Sequence, residues 1–197
     1  MQEEKIVKIA DTNANPAPLG LAAFGMTTIL LNIHNAGFFP MDAVILTMGI
    51  FYGGIAQVIA GIMEFKKNNT FGTLAFISYG FFWIALVGLM VMPKIGLGDA
   101  PSKESMAYFL GAWGFFSILM FLGTLKLSRA LQFVFFSLVV LFALLTVATA
   151  TGSESLHKIA GWEGIVCGLS AIYTSFAQVL NELAGKTVLP ICPIRKK

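Results

Sequence analysis

ALQFVFFSLVVLFALLTVATAT, residues 130–151, runs for 22 residues without a charge. A helix rises about 1.5 Å per residue, so about 20 apolar residues cross the hydrocarbon core of a bilayer. Repetition settles the reading. Comparable stretches lie at 17–38, 43–63, 71–92, 106–125 and 159–180. The segments between them are 4 to 13 residues long, too short for an extramembrane domain. A transmembrane β-barrel would show shorter, alternating segments. The expected fold is an all-α polytopic membrane protein with six transmembrane helices.

Composition agrees. Of 197 residues, 57% are hydrophobic and 12% charged, with a mean hydropathy of +0.81. A soluble domain has about 45–50% apolar and about 25% charged residues, enough to solvate its own surface. A net charge of +3, scattered along the chain, leaves no nucleic-acid footprint. Cys167 and Cys192 form neither a disulfide framework nor a metal-ligand spacing, and no metal or cofactor is expected.

Charge also gives an orientation. The N-terminal segment, the second and fourth connections and the C-terminal segment hold ten Lys and Arg, among them Lys5, Lys8, Lys66, Lys67 and Arg195–Lys197. The other side holds three: Lys94, Lys103 and Lys158. The positive-inside rule then places both termini in the cytoplasm. The division expected is a cytoplasmic tail at 1–14, a six-helix domain at 15–183 and a cytoplasmic tail at 184–197. Asn15-Pro16 reads as a helix start, and Pro40 and Pro93 as stops for spans 1 and 3.

Polar residues inside spans carry the information, because any apolar residue can face lipid. Span 1 repeats Phe24, Thr28 and Asn32 at helical spacing, with His34 and Asn35 beyond. Span 2 sets Gln57 on a face with Gly49, Gly53 and Gly61. Span 3 stacks Gly72, Phe76, Tyr79 and Trp83, and span 5 offers Gln132 near its start. Span 6 repeats Ser170, Thr174, Gln178 and Asn181. Two readings stand: hydrogen bonds between helices, or a narrow aromatic pathway with a few polar stations. Of the charged residues, Glu163 alone falls within a span, near its start, as an interface-level residue or a carboxyl at the outer mouth. With no Lys, Arg or Asp at mid-span, a retinal Schiff base, a voltage sensor and a carboxylate relay are disfavoured. No GxSxG or HExxH motif suggests an enzyme. The pathway suits a small solute that crosses neutral, or an anion held by dipoles, hydroxyls and amides.

NPAPLGL at 15–21, continuing into AAFGMTTILLNIHNAG, resembles the acetate uptake transporter (YaaH) family. MGIFYGGIAQVIAG at 48–61, NTFGTLAFISYGFFW at 69–83, LQFVFFSLVVLFALL at 131–145, AGW at 160–162 and VLNELAGKTVLP at 179–190 are similar to the same family. The resemblance covers about residues 13–191 and is nearer the bacterial succinate–acetate permeases than the fungal members. It implies a homohexamer in the prokaryotic inner membrane, with a fold similar to that of acid-activated urea channels. Each protomer would carry acetate, with succinate as a second substrate, linked to protons by symport or passing as an anion through a channel. It also implies a mid-membrane constriction of Phe24, Tyr79 and Leu138. The substrate-choice position beside that leucine corresponds to Ala171. Glu163 departs from the family pattern, which is apolar after GW. Thr28, Asn32, Gln57 and Gln132 are expected to hydrogen-bond a carboxylate without trapping it. Trp83 joins them as a candidate lining residue. The alternative is a passive channel for a neutral solute, urea or ammonia.

Overall fold

A computed structural model describes residues 14–194. Lys5, Lys8 and Arg195–Lys197, counted above for orientation, lie outside the described residues, as does nearly all of the N-terminal tail. Among the described residues, six helices are long and apolar enough to cross a membrane: α1 (Ala17–Asn35), α2 (Ala43–Lys66), α3 (Thr70–Val91), α4 (Lys103–Thr124), α5 (Arg129–Thr151) and α6 (Glu154–Ala184). A 3₁₀ turn, Met92–Ile95, extends α3 past Pro93.

Side chains accept the orphan amides at most of the helix starts. The Asp42 carboxylate accepts from the Val44 N–H, Asn69 Oδ1 from Gly72, Ser102 Oγ from Ser105, Ser128 Oγ from Leu131 and Ser153 Oγ from Leu156. Gly152 and Gly185, at φ 67° and 62°, end α5 and α6 in the left-handed region that a side chain disfavours. These caps correct the expected limits. α6 starts at the Ser153 cap, well before residue 159, and runs 31 residues. α1 stops at Asn35, before Pro40. Phe38 N–H donates back to the Ile33 carbonyl, and Gly37 takes φ 93°. α2 continues past residue 63 to Lys66, and its Met48–Ala56 stretch is π-helical, which no apolar periodicity announced.

The helices form a closed ring in chain order, with α6 returning to α1. Two seams of that ring are built differently. Along α6, Gly161, Gly164 and Gly168 face α1. A Cβ on Gly164 would fall 2.1 Å from Asn32 Cγ, so these backbones lie as close as glycine permits. The Gly164/Gly168 spacing is thus a packing device, as is Gly49/Gly53 of α2, which lies against Trp83 and Val87. Between α3 and α4 the seam is aromatic. Phe82 stacks on Phe109 at 5.8 Å and meets Trp113 edge-on at 5.2 Å, while Tyr79 meets Phe116 at 5.4 Å. α4 is the peripheral helix, with Tyr108 82% and Phe115 63% exposed, a surface that suits lipid.

With six antiparallel helices, both described ends of the chain lie on one face, termed the tail face. Past Gly185 the chain folds back over it. Asn181 clamps the backbone of Val188 and Leu189, and the Tyr173 hydroxyl donates to the Pro190 carbonyl. Arg129 N–H donates to the Cys192 carbonyl, and Ile194 N–H to that of Leu127. Residues 185–194 are therefore bound to α6 and to the α4–α5 connection.

Candidate functional site

A cavity of about 230 Å³ opens toward the tail face inside the ring. Its walls are mostly apolar, from Leu21, Phe71, Phe76, Leu131, Val134 and Phe135. Phe24, Tyr79 and Leu138 line it as well. Helical rise gives their depth: each lies seven to nine residues into a helix that starts on the tail face, about 10–14 Å down. All three are buried, and the Phe24 and Tyr79 rings approach to 6.1 Å. Gln57 lies nine residues from the tail-face end of α2, hence at matching depth, and also lines the cavity.

The Tyr79 hydroxyl is directed at α4. Ser117 gives its proton to the Trp113 carbonyl at 2.8 Å, so Tyr79 donates to Ser117 Oγ at 2.8 Å. With its polar atom satisfied on α4, Tyr79 contributes an apolar ring to the cavity. Such a ring resists bulk water and inorganic ions and tolerates a methyl group.

Polar groups concentrate at the mouth. Asn15 Oδ1 accepts from the Ala17 N–H at 3.1 Å, completing the start of α1, and its amide donates to Gln178 Oε1 at 3.0 Å. Asn69 likewise uses both ends: Oδ1 caps α3 and Nδ2 donates to Glu64 Oε2 at 2.7 Å. Glu64 corrects the statement that Glu163 alone among charged residues falls within a span. It lies inside α2, is 2% exposed and lines the cavity, and its Oε1 has no partner among the described residues. Gly72 makes room for it, since a Cβ there would lie 2.8 Å from Glu64 Cδ. The sequence reading missed Glu64 because EFKK at 64–67 reads as a charged loop. Its signal was the helical spacing Gln57, Gly61, Glu64, which continues the polar face of span 2.

The other expected residues are distributed differently. Among the described residues, Thr28 Oγ1, one turn above Phe24, has no partner, and neither do Gln57 Oε1 and Trp83 Nε1. Asn32 is buried against Gly164, donating to the Thr28 carbonyl and accepting from Asn35. Ala171 is fully buried. Thr28, Asn32, Trp83 and Ala171 are not among the cavity-lining residues. Gln132 is elsewhere: it accepts from Arg129 at 2.8 Å and donates to the Thr124 carbonyl at 3.3 Å, joining α4 to α5. Glu163 lies nine residues into α6, half-buried, and accepts from the Ser137 hydroxyl beside Leu138. That is deeper than an interface-level residue near a span start.

The chain is similar to proteins named for transport, not for catalysis. It is 60% identical over 178 residues, 90% of this chain and 95% of the relative, to the succinate-acetate/proton symporter SatP of Escherichia coli K12. It is 36% identical over 177 residues to the ammonia transport outward protein 2 of Saccharomyces cerevisiae, covering 86% of this chain and 62% of that one. Among solved structures, that of the bacterial acetate channel SatP matches with a TM-score of 0.90 at 59% identity, over 91% of this chain and 99% of that one. The model of the GPR1/FUN34/yaaH family matches residues 3–196, and this multi-pass membrane chain belongs to that family.

Proposed function

We propose that the chain moves acetate, with succinate as a second substrate, across the prokaryotic inner membrane through the pathway in each protomer. The observation that carries this reading is the cavity that runs from amides at the tail-face mouth to Phe24, Tyr79 and Leu138. A carboxylate oxygen finds N–H donors at Asn15 and Gln57, while a methyl group suits the apolar wall. The names of the relatives support the substrate. Thr28 and Trp83, each with an unpartnered polar atom, extend the pathway beyond the constriction, Asn32 positions Thr28 from the α1/α6 seam, and Ala171 acts on selectivity through packing. Gln132 holds the α4–α5 connection instead.

The tail face is the cytoplasmic one, on the lysine and arginine count, and the protomers assemble as a hexamer. Proton linkage requires no relay, because acetate and a proton together are equivalent to acetic acid. Exposed apolar side chains such as Phe51, Phe115 and Phe136 offer surface for lipid or neighbouring protomers.

Labelled-acetate uptake into proteoliposomes tests the proposal, with and without an inward proton gradient and with membrane potential clamped. Flux through protein-free liposomes is subtracted. Accumulation that collapses with the proton gradient indicates symport; rapid equilibration with voltage-following current indicates a channel. No flux above the leak would overturn the acetate reading. The yeast ammonia relative keeps a neutral-solute channel as the second reading, supported by acetate-independent ammonia permeation in the same liposomes.

A further inference from the structure

Glu163 stands in the wall behind the proposed constriction. Two contacts set the register of the α5/α6 seam: Cys167 Sγ donates to the Val134 carbonyl at 3.8 Å, and Ser137 donates to Glu163 Oε1. Val134 and Leu138 both line the cavity. Glu163 therefore meets α5 one residue from a lining side chain, at the depth of Leu138. The residue is half-buried, and its Oε2 is buried with no partner among the described residues.

The helices packed on α6 offer no lysine or arginine at that depth. α5 carries no titratable side chain after Arg129, which lies eight residues before Ser137. α1 carries His34 alone, near its far end, and sets the neutral Asn32 against Gly164. On α6 itself the nearest titratable group is Cys167, one turn on. Glu154, His157 and Lys158 lie in its first two turns, and Tyr173 and Glu182 lie well beyond. An ionisable side chain held inside a membrane domain without a counter-ion is a candidate for function.

The two protonation states of this carboxyl make different bonds. Ionised, it only accepts, and Ser137 donates to it. Protonated, it donates to Ser137 Oγ, and Ser137 turns its own hydrogen to the carbonyl one turn back on α5, as serines inside helices do. One proton from water forms one O–H bond and removes one negative charge; nothing else is exchanged.

We propose that Glu163 is a proton-binding site whose loading reverses the hydrogen bond with Ser137 and removes a negative charge from the wall at Leu138. It is a positioning residue, acting on the constriction through α5. Its effect on flux rests on the acetate reading; the proton site itself does not.

Infrared difference spectra of the full chain in nanodiscs, recorded from acid to mildly alkaline pH, test the site directly. The wild type should show a carboxylic-acid C=O band that converts to carboxylate. Glu163→Gln should delete that band and leave any band of Glu64. Ser137→Ala removes the donor to the carboxylate, so the band should persist with proton binding about tenfold tighter. Ser137→Thr keeps the hydroxyl and should restore the wild-type midpoint. A side chain that only packs would alter melting temperature and leave no midpoint to move. In liposomes, acetate uptake by the wild type should equal that of Glu163→Gln at acid pH and fall about threefold below it at alkaline pH, where a charge faces an anion. Absence of a titrating band that Glu163→Gln removes, or a midpoint indifferent to Ser137→Ala, overturns the proposal. So does acetate flux whose ratio to the glutamine variant ignores pH. A Glu163 band with a Ser137-dependent midpoint, in protein that passes no acetate, upholds the proton site and removes the acetate reading.

Discussion

The α1/α6 seam and the α3/α4 seam close the same ring by opposite means. At α1/α6 glycines let two backbones meet, and the polar side chain between them, Asn32, is buried and hydrogen-bonded within α1. At α3/α4 large rings hold the helices apart, and Tyr79 stands with one edge in that seam and one in the cavity. The contrast locates the rigid part of the chain. The glycine seam admits no added atom, so it fixes α1 and the Phe24–Thr28–Asn32 stripe in place. The aromatic seam is packed by side chains, and the residues proposed as the constriction stand beside it.

The largest effect should follow from breaking the glycine seam. Gly164→Leu places a side chain where Asn32 already lies, and overpacking of this kind costs about 3 kcal/mol or more. Thermal unfolding in detergent should show it as lost melting temperature or no folded protein. A variant that melts like wild type would mean the seam is looser than described. Next is Leu138→Ala, which widens the cavity at the proposed constriction without touching the glycines. Uptake of a four-carbon monocarboxylate relative to acetate should rise about tenfold, the scale of a methylene or more of pocket space. Unchanged selectivity in folded protein would remove Leu138 from the constriction.

A smaller effect is expected of Tyr79→Phe. It removes the hydrogen bond to Ser117 but keeps the ring, so stability should fall by about 1 kcal/mol while acetate flux persists. Loss of flux at normal stability would show that the hydroxyl serves the solute. The smallest is Gln132→Leu, outside both seams and off the cavity. It should change stability by about 0.5 kcal/mol or less and leave flux intact, whereas Gln57→Leu should lower flux. Equal effects of the two glutamines would erase that distinction.

Six helices were legible in the sequence because lipid demands a long apolar run and the connections interrupt it with charge, proline and glycine. The helix ends were less so. The polar first turns of α6, from Glu154 to Lys158, read as a loop, because helix propensity and a serine cap do not register on a hydropathy scale. Glu64 was hidden in the same way at the end of α2: a charge beside Lys66 and Lys67 looks solvated until Asn69 and Gly72 fold over it. Phe24, Tyr79 and Leu138 came from resemblance. Periodicity placed each on a stripe, but nothing in spacing alone says that three helices bring them to one depth. Gln132 shows the converse: a polar residue near a span start, attractive as a ligand, whose neighbours Arg129 and Thr124 already occupy it.

The returning segment after Gly185 has a consequence for biogenesis. Leu127 lines the tail-face cavity, and its carbonyl is held by Ile194, a residue synthesised after all six helices. Insertion into the bilayer can therefore be complete while the mouth is still unfinished. A chain emerging from the ribosome can make this contact only after all six helices have been synthesised.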